Sequence, residues 1–102
     1  MPPPEDPTPD HVAWIELPDQ RTILLTGDCR IGRIEGNEII NPDTRISRRH
    51  SVVQHQGDRF VLVDLGSTNG TLVNGEPVIE KQLSDGDMIA IGQNTMRFSL
   101  ES

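Results

Sequence analysis

Aromatic residues, cysteine and long apolar runs are all scarce in this 102-residue chain. It has two Phe, one Trp and no Tyr, and its apolar fraction of 33% is low for a globular protein. Cys29 stands alone, which excludes an intrachain disulfide and a cysteine-based metal site. Because no apolar run reaches membrane-spanning length and no basic-then-apolar signal region opens the chain, we expect an intracellular, cytoplasmic protein without membrane contact.

Positive charge is also scarce, and it is unevenly placed. Nine Lys and Arg residues stand against 16 Asp and Glu, which gives a formal net charge of -7. This balance argues against nucleic acid as a partner. Five of the nine cations nevertheless lie between Arg30 and Arg49, which predicts one small basic site in an acidic protein. The three histidines lack the spacing of metal ligands, so we expect neither a metal nor another cofactor.

Residues 1–10, MPPPEDPTPD, contain five of the eight prolines and no large apolar residue after Met1. Such a segment cannot bury enough surface to offset its ordering entropy. We therefore predict a disordered tail or linker over 1–10 and a single folded domain over 11–102.

The rest of the chain predicts short strands. Gly57-Asp58 and Asn74-Gly75 each separate two apolar stretches, which is typical of β-hairpins. No segment shows helical periodicity over ten residues. Turn residues recur between the strand-like stretches, which favours an antiparallel β-sandwich with loops at its two ends. The predicted strands are VAWIEL, RTILLTG, CRIGR, NEII, HSVVQHQ, RFVLVDL, the two halves of TLVNGEPVI, MIAIG and TMRFSL.

The polar side chains of the predicted loops suit an oxyanion. Arginine offers planar, paired donors to phosphate, and serine and threonine hydroxyls can donate to its remaining oxygens. Asparagine can both donate and accept, which suits contact with a peptide backbone. The chain has no Gly-x-x-x-x-Gly-Lys phosphate loop, so nothing supports nucleotide binding. The residues with this chemistry are Arg33, Arg45, Ser47, Arg48, Arg49, Thr68 and Asn69.

Four short motifs resemble those of the forkhead-associated (FHA) domain, and they occur in the order and at the spacing of that family. They are Gly32-Arg33, Ser47-Arg48-Arg49-His50, Ser67-Thr68-Asn69-Gly70-Thr71 and Asn74-Gly75, and LSDGDMIAIG resembles the penultimate strand of that family. The resemblance covers about Val12 to Leu100. It implies an all-β, eleven-stranded antiparallel sandwich that binds threonine-phosphorylated peptides through loops at one end, downstream of a Ser/Thr kinase.

The resemblance also implies a role for each matched residue. Arg33 and Ser47 are similar to the main phosphate ligands, and Thr68 to a further one. Arg48 matches a position that touches phosphate or the peptide main chain, and Asn69 one that binds the peptide backbone. The structural positions are Gly32, His50, Gly70, Asn74 and Gly75, among which the histidine is implied to hold the loop from inside.

Arg45 is similar to a residue that, in some members, reads the third residue after the phosphothreonine. That role predicts a preference for Asp or Glu there, and the alternative is that Arg45 pairs internally with Asp43 or Glu38. Arg33 has a comparable alternative, a surface pair with Glu35 or Glu38.

Two other functions compete with phosphopeptide binding. One is a phosphate-independent interaction or assembly domain of the same fold, which would need neither Arg33 nor Ser47. The other is an enzyme that uses Ser47 or Ser51 with His50, which we do not expect because the sequence has no nucleophile-elbow pattern. We expect a monomeric, non-enzymatic domain.

Overall fold

The computed structural model describes residues 12–101 of the chain. The predicted tail over 1–10 and the predicted start of the domain at His11 lie outside these residues.

Residues 12–101 form eleven strands in two sheets, which confirms the predicted all-β sandwich of eleven strands. The six-stranded sheet has the order β2-β1-β11-β10-β7-β8, and the five-stranded sheet has the order β4-β3-β5-β6-β9. The strands are β1 (Val12–Glu16), β2 (Thr22–Leu24), β3 (Cys29–Gly32), β4 (Ile39–Ile40), β5 (Ser51–Gln56), β6 (Arg59–Asp64), β7 (Thr71–Val73), β8 (Glu76–Val78), β9 (Glu80–Gln82), β10 (Met88–Ile91) and β11 (Asn94–Glu101).

Two details differ from the sequence prediction. The pairing of β3 with β4 is parallel, whereas a purely antiparallel sandwich was expected. The loop that connects the two strands is short, and β4 contributes only two residues to the edge of its sheet. Strand β9 was not predicted, because its three residues are polar and exposed and therefore lack the alternating apolar pattern of the other strands.

The core lies between the sheets and consists mainly of aliphatic side chains. Ala13, Ile15 and Leu17 alternate inward from β1 and its end, as their spacing predicts. Phe60 and Phe98 come from opposite sheets and meet with ring centroids 5.7 Å apart. Burial of each large apolar side chain stabilises the fold by about 1.5–3 kcal/mol, so a chain with few aromatics still acquires a core.

The two predicted hairpins are present. Strands β5 and β6 flank Gly57, whose φ is 65°, and β7 and β8 flank Asn74 and Gly75, with φ of 52° and 84°. Positive φ at both Asn74 and Gly75 matches the twist of a two-residue hairpin, and the other turn has positive φ at its first central residue, Gly57. Asn74 also links this hairpin to β10, because its side chain accepts from the Met88 backbone N–H at 2.9 Å.

The strand directions bring three loops and one turn to the same end of the sandwich. Ile31, Ser51 and Asp64 lie side by side on β3, β5 and β6, so the β3–β4, β4–β5 and β6–β7 loops leave the sheet together. In the other sheet Thr71 lies beside Ile91, which adds the β10–β11 turn at the same end. Loops positioned by a rigid sheet are where binding residues are usually found.

Candidate functional site

Arg33 is anchored to the β4–β5 loop by its backbone and its side chain. Its backbone N–H donates to the carbonyls of Ser47 and Arg48 at 3.2 and 3.1 Å, and its Nε donates to the carbonyl of Ile46 at 3.0 Å. Within residues 12–101 no ion pair holds this guanidinium. Glu38, its alternative partner, pairs with Arg30 instead, at 3.0 Å.

Gly32 lets the β4–β5 loop approach β3 closely. A Cβ at this position would lie 2.1 Å from the Arg48 carbonyl oxygen and 2.7 Å from Asn37 Nδ2. The FHA resemblance implied only a structural role for Gly32, and because its φ is not positive, close packing is the physical requirement here. Asn37, which the sequence analysis missed, completes the contact by donating to the carbonyls of Ile34 and Arg48 at 2.7 and 3.0 Å.

Two hydrogen bonds join the β4–β5 and β6–β7 loops across the site. The Thr68 backbone N–H donates to Ser47 Oγ at 3.1 Å, and Asn69 Nδ2 donates to the Arg45 carbonyl at 2.7 Å. The Ser47 hydroxyl proton is not used by the first bond, because Ser47 Oγ acts as the acceptor. Thr68 therefore lies beside Ser47, 21 positions earlier in the chain, and Asn69 beside Arg45, 24 positions earlier.

His50 is fully buried beneath these loops. Its Nδ1 accepts from the Ser47 backbone N–H at 3.2 Å, so its Nε2 carries the proton and donates to the Gly70 carbonyl at 2.9 Å. Both ring nitrogens are thus engaged with backbone groups of the two loops. Ser51 Oγ is buried without a hydrogen-bond partner in the described part of the chain. This geometry does not match that of a general base beside a nucleophile.

Asp64, at the end of β6, organises the β6–β7 loop and was missed by the sequence analysis. Its carboxylate accepts from Ser67 Oγ and Thr71 Oγ1 at 2.6 and 2.7 Å, and from the backbone N–H groups of Gly66 and Ser67. Burial raises the pKa of Asp64, but these hydrogen bonds outweigh it and hold the pKa below its ordinary value of 3.8. The available signal was an Asp two positions before the Gly-Ser-Thr-Asn-Gly sequence that begins at Gly66.

Arg45 pairs with Asp43, which is one of the alternatives raised by the sequence. Its Nη2 lies 2.6 Å from Asp43 Oδ2 and its Nε lies 2.9 Å from Oδ1. The hydrogen bonds from this guanidinium hold the pKa of Asp43 below its ordinary value. Gly92 of the β10–β11 turn lies close to this ion pair, since a Cβ there would be 3.6 Å from Asp43 Oδ2.

The remaining predicted residues divide between the site and its framework. The side chains of Arg48, Arg49 and Thr68 are exposed, and the first two guanidiniums form no ion pair within the described residues. Gly70, with φ of 86°, provides a turn that other residues rarely adopt. Asn74 and Gly75 lie at the opposite end of β7 from Thr71, so they belong to the framework and do not line the site.

In the range 12–101 no cluster of three or more His, Cys, Asp or Glu side chains is arranged to hold a metal ion. The same range includes no helix of the length and apolarity needed to span a bilayer.

The sequence model of the FHA domain matches residues 29–92, which include β3 to β10 and every loop of the site. The chain belongs to the FHA domain family. The matched span contains the whole set of anchored loops described above, so the family assignment and the site geometry refer to the same residues.

Relatives of this FHA domain include proteins of Mycobacterium and Corynebacterium species. It is 46% identical over 71 residues to the FHA domain-containing protein FhaA of Mycobacterium tuberculosis, an alignment that covers 70% of this chain and 14% of FhaA. It is 43% identical over 78 residues to the oxoglutarate dehydrogenase inhibitor of Corynebacterium jeikeium, covering 76% of this chain and 54% of the inhibitor. The FHA domain thus spans about half or less of the length of these relatives.

A solved structure is also similar. It comes from a study of phosphothreonine-dependent FHA domain interactions, and it shares 39% of its sequence with this chain at a TM-score of 0.84. The superposition covers 89% of this chain and 98% of that one. The fold of this FHA domain is therefore shared with a relative along almost its entire length.

Proposed function

We propose that this FHA domain binds proteins or peptides phosphorylated on threonine, and that it recruits partners after an intracellular Ser/Thr kinase has modified them. The domain acts by binding and not by catalysis. The naming of one relative as an enzyme inhibitor supports a regulatory role of this kind.

The observation that carries the proposal is the convergence of unpaired guanidiniums and free donors at one end of the sandwich. Arg33, directly after β3, is held by backbone carbonyls of the β4–β5 loop, and Arg48 belongs to that second loop. Neither guanidinium pairs with a carboxylate of the described residues. A phosphate dianion can accept from both guanidiniums and from the Ser47 hydroxyl. The protein as a whole has a net charge of -7, so this cluster of arginines is a local site for an anion on an otherwise acidic surface.

Asn69 supports a peptide as the phosphate carrier. Its amide nitrogen donates to the Arg45 carbonyl at 2.7 Å, which fixes the side chain at the rim between two loops. The amide oxygen and the second N–H remain to bind a backbone N–H and a carbonyl of an extended ligand. Thr68 adds an exposed hydroxyl beside Ser47.

An oriented peptide library tests the proposal. Wild-type protein is titrated by fluorescence polarisation with matched libraries that carry phosphothreonine, phosphoserine or unmodified threonine. We expect binding of the phosphothreonine library and none of the unmodified one. Equal binding of phosphorylated and unmodified peptides would instead support the phosphate-independent interaction domain.

Arg33→Ala is expected to remove phosphopeptide binding while the domain stays folded. Loss of a charge-assisted contact to a dianion costs about 2–5 kcal/mol of binding free energy. The matched control is Arg59→Ala, since Arg59 is an exposed arginine at the far end of β6. A melting curve for each variant tests folding. If folded Arg33→Ala binds as tightly as Arg59→Ala, the assignment of the phosphate site is wrong.

A further inference from the structure

A cleft opens between the two sheets on the side of the sandwich where β2 and β4 are the edge strands. On the other side, the edge strands β8 and β9 are joined by the single residue Ile79, whose carbonyl accepts from the Asp64 backbone N–H at 2.8 Å. Strands β2 and β4 lack such a direct link, since β3 lies between them in the chain. The sheets therefore separate at this edge, and core side chains line the gap. We call it the β2–β4 cleft.

The β2–β4 cleft has a volume of about 260 Å³ and a mainly apolar wall. Ile31 of β3, Ile91 of β10 and Met96 of β11 are each at most 3% exposed, so the cleft reaches the core. An apolar cavity of about 150 Å³ holds benzene, and in the same proportion this cleft holds about ten non-hydrogen atoms. The other apolar residues of its wall are Leu17, Pro18, Ile39, Ile40, Pro42 and Ile46.

The polar groups of the cleft are neutral as a set. Asp19 and Arg21 form an exposed ion pair at 2.6 Å, so neither charge is left over for a ligand. The side chain of Asn94 forms no hydrogen bond with the part of the chain from 12 to 101. Asn41 uses only its Oδ1, which accepts from the Asp43 backbone N–H at 3.0 Å. Two amide groups therefore stand beside an apolar wall, which is the composition of a small-molecule site.

We propose that the β2–β4 cleft binds a small neutral molecule with an apolar ring or branched chain and one amide or hydroxyl group. The apolar part lies between the sheets, and the polar group bonds with Asn94 and Asn41. Sites for drug-sized ligands measure about 300–1,000 Å³, so the occupant of this smaller cleft is a compact molecule and not a peptide segment.

The cleft lies directly behind the loop that carries Ser47. Ile46, the residue before it, is 1% exposed and belongs to the cleft wall, while its carbonyl accepts from Arg33 Nε at 3.0 Å. An occupant that packs against Ile46 stabilises this arrangement of Arg33 and Ser47. Because coupling between two sites is reciprocal, the occupant and a phosphopeptide raise each other's affinity. This coupling rests on the proposed function, whereas binding in the cleft does not.

An NMR titration of the intact protein tests the site. The probe is phenylacetamide, a compact ring with one amide group, and the control is acetamide, which lacks the ring. Five of the ten isoleucines line the cleft, so their methyl resonances report on it. We expect phenylacetamide to shift these methyl groups saturably, with a Kd of about 0.2–5 mM for a ligand of this size. Acetamide should shift none of them, and Ile79 should respond to neither.

Ile40→Asp is expected to weaken the binding of phenylacetamide about 5-fold or more. Ile40 is a cleft residue that is 49% exposed, so the change places a charge beside the apolar ligand without disturbing the core. The matched control is Ile79→Asp, the same change at an isoleucine that is 79% exposed and lies outside the cleft. Asn94→Ala is a second variant, which removes the polar contact and serves if Ile40→Asp melts below the assay temperature.

Fluorescence polarisation with a labelled phosphothreonine peptide measures the coupling. Saturating phenylacetamide is expected to tighten peptide binding by wild type about 2- to 5-fold, within the usual range of coupling between sites. It should have no such effect on Ile40→Asp, whose peptide affinity without the probe should equal that of wild type. Acetamide at the same concentration controls for solvent effects.

Several outcomes would overturn the inference. The site is wrong if phenylacetamide shifts no cleft methyl group, or if Ile40→Asp and Asn94→Ala bind it as well as Ile79→Asp does. It is also wrong if the same methyl groups shift with protein concentration alone, because a second copy of the chain would then fill the cleft. Probe binding that leaves peptide affinity unchanged would disprove the coupling. If wild type binds no phosphopeptide at all, the proposed function fails, and the methyl titration still decides whether the cleft is a site.

Discussion

At the scale of single residues, Asp43 controls what Arg45 can bind. The carboxylate takes two donors of the guanidinium, at 2.6 and 2.9 Å, and it also accepts from the Arg45 backbone N–H at 2.9 Å. The ion pair uses two of the five N–H donors of the guanidinium and balances its charge, so a second carboxylate gains less from Arg45. The role that the FHA resemblance implies for Arg45 therefore depends on the competition between Asp43 and the ligand.

This competition predicts a gain of selectivity in Asp43→Asn. Wild type should hardly distinguish Asp from Ala at the third residue after the phosphothreonine, because Arg45 is occupied. Asp43→Asn keeps the acceptor for the Arg45 backbone but releases the guanidinium, so the Asp peptide should bind better than the Ala peptide. The pair of peptides is titrated by fluorescence polarisation at low salt, where exposed charges are least screened.

Arg45→Ala is the control for this experiment and should show no preference in either background. A clear Asp preference in wild type that disappears in Arg45→Ala would mean that the ligand displaces Asp43. An Asp preference that persists without Arg45 would assign the selectivity to another residue.

At the scale of elements, β3 and the β4–β5 loop behave as one unit. The carbonyl of Arg48 receives N–H groups from both Arg33 and Asn37, and this carbonyl fits only because Gly32 lacks a side chain. His50 fastens the other side of the same loop to Gly70. The position of Ser47 therefore depends on packing around it as much as on its own hydrogen bond.

Gly32→Ala is expected to weaken both stability and phosphopeptide binding. The added methyl group would lie 2.1 Å from a backbone oxygen, so the loop must move, and such overpacking costs about 1–3 kcal/mol of unfolding free energy. The control is Gly27→Ala, since a Cβ there meets nothing within 4 Å and its φ is not positive. Urea unfolding and peptide titration measure the two effects, and a Gly32→Ala variant equal to Gly27→Ala in both would refute the packing argument.

At the scale of the whole molecule, Asp64 joins the two sheets at the binding end. It ends β6 in the five-stranded sheet, and it accepts at 2.7 Å from the hydroxyl of Thr71, which begins β7 in the six-stranded sheet. Because the folded state holds its pKa below 3.8, ionised Asp64 stabilises the fold. This stabilisation is complete above the ordinary pKa and is lost as pH falls through the lower folded value.

Asp64→Asn should therefore destabilise the protein most at neutral pH. Removal of a charged acceptor from several donors costs about 1–3 kcal/mol. Chemical unfolding at pH 7 and at pH 3 compares the variant with wild type, and the difference should shrink at the lower pH. A difference that stays the same at both values would show that the carboxylate charge of Asp64 is not the stabilising feature.

The sequence determined the fold class, because local sequence patterns specify the strands and the hairpins. Alternation in VAWIEL and TMRFSL, together with positive-φ turn residues at Gly57 and Asn74-Gly75, specifies strands and hairpins without knowledge of distant residues. Strand β9 could not be predicted, because its exposed polar residues show no such alternation. The parallel pairing of β3 with β4 could not be predicted either, because the direction of pairing depends on two segments and on the loop between them.

The residue types of the site could also be predicted from the sequence, since arginine, serine, threonine and asparagine are the donors that phosphate and peptide require. Only the tertiary structure decided which of these donors remain free. It assigned Asp43 to Arg45 and Glu38 to Arg30, and left Arg33 and Arg48 without carboxylate partners among residues 12–101. The physical reason is that an ion pair or a close contact forms between side chains at a particular distance, and the fold alone sets that distance.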